Sequence, residues 1–134
     1  LHGYKPWKIR YSLFFYSSHS TGFYIKKKAA NIVGKYSLKY YSSDFDYFYR
    51  MIVKHRLHGV STKKNELFGH FRPGGISSKI EYWDHFYEKN QIRADNNQNR
   101  IFLFFLILFK IILNYKHLNT FKFKRYYRFI KNNI

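Results

Sequence analysis

Carboxylates are the scarcest chemistry in this chain. Seven Asp and Glu stand against 25 Lys and Arg, with none before Asp44 and none after Asp95, for a net charge of +18 over 134 residues. A free globular protein so unbalanced repels itself, so its compact state needs a polyanion beside it. Cysteine is absent, which excludes disulfides, thiol nucleophiles and Cys-based zinc sites. Alanine occurs three times, at Ala29, Ala30 and Ala94, and proline twice. The few carboxylates form no pair suited to general acid–base work. Asp84 and His85 are sequence neighbours, and such neighbours do not face each other on a helix. The chain does not read as an enzyme.

What is abundant is aromatic: 14 Tyr, 15 Phe and 2 Trp, 23% of all residues. Highly charged chains escape into disorder when they lack such residues, so this one is expected to fold. Charge for phosphates combined with rings for stacking or burial suits a protein embedded in RNA. Phe, Tyr, Lys, Asn and Ile also share codons built mainly from A and T, which points to an AT-rich genome of an organelle or parasite. That bias leaves the scarcity of Glu unexplained, since its codon GAA was equally open. The acid-free, Ser- and Arg-containing start has the composition of a transit peptide. It runs too far for one and is patterned like strands, so it reads as part of the fold.

Four stretches follow. Residues 1–9 form a basic-aromatic arm around Lys5, Trp7 and Lys8. Residues 10–57 read as a small β domain. Segments 10–16 and 23–25 are rich in aromatic and β-branched residues and flank a Ser/Thr/Gly turn, and 31–34 reads as a loop. Residues 35–41 alternate Lys/Ser with Tyr36, Leu38 and Tyr40, and 47–53 reads as a further strand after the break Ser42-Ser43-Asp44. Residues 58–78 are a basic, Gly-rich linker, and 79–134 a helical extension. Ser78 with Glu81 predicts a capping box opening a helix to about Asn90. Helices are predicted over 100–113 and 120–131, the last with Phe123, Tyr126, Tyr127 and Ile130 on one face and Lys122, Arg125 and Arg128 on the other. The expected class is α+β, a three-stranded antiparallel sheet followed by a mainly helical C-terminal extension.

The order Ser20-Thr21-Gly22-Phe23-Tyr24-Ile25-Lys26-Lys27-Lys28, followed by Tyr36-Ser37-Leu38-Lys39-Tyr40 and the stretch from Ser42 to Arg56, resembles the bacterial-type large-subunit ribosomal protein L33 family. The chain departs from it at Tyr41-Ser42, where that family has Asp-Pro. The resemblance implies a Cys-less three-stranded sheet without zinc, on the large subunit near the tRNA exit site. Residues 58–134 would then be an organellar extension.

The candidate RNA contacts are Lys5, Trp7, Lys8, Arg10, Lys26, Lys27, Lys28, Lys35, Lys39, Lys54, His55, Arg56, Lys63, Lys64, Arg72, Lys122, Lys124, Arg125 and Arg128. Acids that would make their clusters mere solvated faces are missing. Gly69 to Gly75 lacks the Gly-Lys-Ser/Thr ending of a nucleotide-binding loop. His55 with His58, or Glu81 with His85 and Glu88, lack a completing ligand, so no metal or other cofactor is expected. Segment 101–113 is apolar enough for lipid, but as a helix it spans only about 20 Å against about 30 Å of hydrocarbon. It reads as a docking helix for a neighbouring ribosomal protein. The resulting expectation is a structural, rRNA-binding constituent of the large subunit of a mitochondrial ribosome in the matrix. The alternative is a small membrane-arm subunit of an organellar respiratory complex.

Overall fold

A computed structural model describes residues 23–59, 74–75, 79–115 and 122–133. The chain divides into two compact units, Leu1–Lys79 and Ile80–Ile134. Among the described residues there is no strand, and the expected three-stranded sheet is overturned.

In the first unit, α1 (Lys27–Val33) and α2 (Ser43–Tyr49) are α-helical, and α2 continues directly into a π-helical segment, Arg50–Lys54. Residues 31–33, read as a loop, are the last turn of α1. The run 47–53 has the composition of a strand, but it is helical, and every residue of 45–53 except Arg50 is buried. Phe45, Phe48, Tyr49 and Ile52, at i, i+3, i+4 and i+7, are all enclosed. Ser42, expected to break a strand, stands at the N-cap position of α2, and Asp44 and Asp46 occupy the first turn where the helix dipole favours negative charge. The alternation over 35–41 has no buried face behind it. Leu38 is fully exposed, Tyr36 half so, and the Ser37 hydroxyl accepts from the Lys39 N–H, a local bond that competes with any strand ladder. Segment 23–25 is likewise irregular, while the predicted strand 10–16 lies outside the described residues.

Arg50 locks this unit. Its Nε donates to Asp46 at 2.9 Å, and its two terminal nitrogens donate to the carbonyls of Val33 and of Lys35, the latter at 2.8 Å. The carbonyls at the end of α1 have no partner within their own helix, and the guanidinium supplies one along with a charge of the favourable sign. Gly34 makes the exit possible, with φ 80° and ψ −154°, a region that side-chain-bearing residues scarcely enter. Around this lock the rings form a row. Phe23 stacks on Phe48 (centroids 3.9 Å apart), Phe48 meets Tyr47 edge-on, and Tyr47 stacks on Tyr36 at 4.2 Å.

The second unit comprises α3 (Tyr82–Asp95), α4 (Arg100–Leu113) and α5 (Phe123–Asn133). Glu81 sits at the N-cap position of α3 without a side-chain cap bond, and Ser78 lies outside the described residues. The helix continues past Asn90, whose side chain turns inward and donates to the Phe86 carbonyl, and Ile92 and Arg93 are buried beyond it. α4 keeps the predicted bounds: the Asn99 side chain accepts from the Phe102 N–H and caps it.

α5 is rotated from expectation. Tyr126 and Phe129 are buried, while Phe123 and Tyr127 are exposed. Tyr126 meets Trp83, Phe86 and Tyr87, and Phe129 meets Tyr87, with centroids 5.6–6.2 Å apart. The Tyr126 hydroxyl donates to the buried Trp83 carbonyl at 2.8 Å, and burial holds that phenol far above its ordinary titration range. Arg125 lies 3.9 Å over the Tyr87 ring, on the side of α5 that faces α3.

Candidate nucleic-acid interface

The two units carry their charge differently. Residues 1–79 hold fifteen Lys and Arg against three acids, and residues 80–134 hold ten against four. In the first unit Asp46 is committed to Arg50, and the Asp44 carboxylate accepts from the N–H of Phe45 at 2.7 Å. Lys26, Lys27, Lys28, Lys35, Lys54 and Arg56 are all exposed, and among the described residues no carboxylate holds them. Lys39 is exposed as well, its ammonium 5.2 Å from the Tyr40 ring. His55 is partly covered.

Lys26, Lys27 and Lys28 occupy the N-cap and first two positions of α1, and the first turn contains no acid. Cations at that end oppose the helix dipole by some tenths of a kcal/mol each. The helix is therefore stable in spite of these residues, and their presence needs a reason outside it.

In the second unit the candidates separate. Lys122 Nζ stands 2.7 Å from Asp84 Oδ2 and 3.7 Å from Glu81, and Arg125 grips Asp84 Oδ1. The hydrogen bond from Lys122 to Asp84 raises the lysine's pKa. These two cations, predicted to face RNA from the side opposite the packing face, instead join α5 to α3. Lys124 and Arg128 are exposed, and with Lys131 they fall at i, i+4 and i+7 on α5, beside the exposed rings of Phe123 and Tyr127. Lys79, Arg100 and Lys131 are exposed as well and were not among the candidate contacts. Lys5, Trp7, Lys8, Arg10, Lys63, Lys64 and Arg72 lie outside the described residues.

Burial, with smaller contributions from Tyr47 and Asp44, raises the Tyr36 pKa. Burial also raises that of Tyr82 against a lowering hydrogen bond with Asn114. Among the described residues no group of three or more His, Asp or Glu could hold a metal ion. No helix there is long and apolar enough to cross a membrane.

α4 has two faces. Leu103, Leu106 and Ile107 are buried within the unit. The outer side carries Ile101, Phe104, Phe105, Leu108, Phe109, Ile112 and Leu113, each 38–66% exposed, with no polar residue among them. Ile101, Phe105, Leu108 and Ile112 are spaced i, i+4, i+7 and i+11, the pattern of anchors on a helix that enters a groove. No known protein family matches the chain, and no curated protein or solved structure is similar to it.

Proposed function

We propose that this protein is a structural, rRNA-binding constituent of a mitochondrial ribosome. The observation that carries the reading is the surplus of lysine and arginine over acids, densest in the acid-free first 43 residues, together with the exposure of Lys26, Lys27, Lys28, Lys35, Lys54 and Arg56, which no carboxylate holds among the described residues. Each phosphate such a side chain neutralises releases counterions, which makes the hold strong and electrostatic. The function is adhesion, with no turnover. The organellar assignment follows from the AT-type residue usage. Placement on the large subunit rests on the sequence resemblance alone, whose implied sheet the described residues lack, and the RNA-binding reading stands without it.

Protein contact is the task of α4. Its seven outer apolar side chains are each 38–66% exposed, an uncharged set of the kind that forms the core of a protein interface. A band free of charge fits an apolar groove in a neighbouring ribosomal protein. A second copy of a chain with charge +18 would be repelled.

Fractionation tests the assignment. Expected is co-sedimentation with ribosomal particles and release by high salt with a Mg²⁺ chelator or by RNase. Recovery in the membrane pellet after both washes, with release only by detergent, would transfer the assignment to a membrane-arm subunit of a respiratory complex.

A further inference from the structure

We infer that the segment from Tyr24 to Tyr41 binds unpaired nucleotides by stacking their bases on tyrosine rings, with the interleaved lysines holding the phosphates. This rests on the RNA-binding reading and names the kind of RNA. The first unit encloses one set of rings, Phe45, Tyr47, Phe48 and Tyr49, and leaves another outside. Tyr24 is 82% exposed, Tyr41 83% and Tyr36 47%. Lys26, Lys35 and Lys39 alternate with them in sequence and are exposed, and no acid occurs between Tyr24 and Tyr41.

The geometry continues an existing stack. Tyr36 rests one face on Tyr47 at 4.2 Å, and the row runs on through Phe48 to Phe23, the neighbour of Tyr24. A base laid on the outer face of Tyr36 would extend that row by one ring. Arg50 holds the Lys35 carbonyl at 2.8 Å, so Tyr36 is positioned before any ligand arrives.

The chemistry selects against other partners. An apolar protein surface or bilayer hydrocarbon laid over these rings would bury the lysines without counter-charge. An RNA duplex offers phosphates and sugars but keeps its base faces stacked internally. A single strand presents both, and every base has a face to stack.

The test compares a short oligo(U) strand with an RNA hairpin of equal phosphate count, by fluorescence anisotropy on the full chain. The double variant Tyr24→Ala/Tyr41→Ala removes the two most exposed rings and leaves the enclosed ones in place. Expected is a loss of affinity for the single strand of about tenfold per ring, with the hairpin little affected. Tyr24→Phe/Tyr41→Phe should bind like the parent. Equal losses on both RNAs, or no loss on the single strand, would overturn the stacking proposal while leaving the RNA-binding reading in place. A parent chain that binds neither RNA would overturn both.

Discussion

Exchanging Lys26, Lys27 and Lys28 together for Gln is expected to weaken RNA association on the order of a hundredfold at physiological salt, because three phosphate contacts and their counterion release go together. The same change should slightly stabilise the fold. The three cations stand at the positive end of α1 with no acid in its first turn, so removing them relieves a few tenths of a kcal/mol each. Opposite signs on binding and stability distinguish a functional cluster from a solvated face. Particle association, read by sedimentation, and the thermal midpoint of the free chain measure the two halves. Unchanged association would remove the cluster from the interface.

The second large effect concerns α4 and depends on which face is changed. Phe105→Asp with Leu108→Asp should leave the protein folded, because both side chains face outward, and should abolish docking. Central apolar anchors of an interface are worth about 2 kcal/mol or more each, so the pair represents a loss of roughly a thousandfold. Leu106→Asp or Ile107→Asp should instead unfold the second unit with or without a partner. These side chains are 2% exposed, and an unpaired charge there costs several kcal/mol. Cross-linking from position 105 should give protein products. Lipid as the main product would move the helix to a membrane surface.

The helical half was the more legible part. The bounds of α4 follow from the polar break ending at Asn99 and from an apolar run interrupted only by Lys110, and the structure keeps them. The first half misled through composition. Its Tyr, Phe, Ile and Val carry β propensity, but that preference is decided by packing and not by the backbone. The helical spacing of Phe45, Phe48, Tyr49 and Ile52 was present, masked by reading Ser42-Ser43-Asp44 as a strand break when it is a helix start. Of the strands implied by the resemblance to L33, 47–53 fails for this reason and 35–41 because no buried face lies behind it. At the candidate interface, exposed lysine runs were legible as runs. The commitments of other cations were not, because their partners are distant. Arg125 and Lys122 reach Asp84 across 41 and 38 residues, and Arg50 reaches the Val33 carbonyl across 17. No local pattern separates a cation bound for such a partner from one bound for phosphate.

The central claim, that phosphate contacts dominate what this chain holds, is tested most directly by the salt dependence of its RNA affinity. The binding constant of the full chain for a ribosomal RNA fragment would be measured across a salt series and plotted as log K against log salt. Six or more phosphate contacts predict a linear fall of at least about a thousandfold between 50 and 200 mM salt. A nearly flat line would contradict the account.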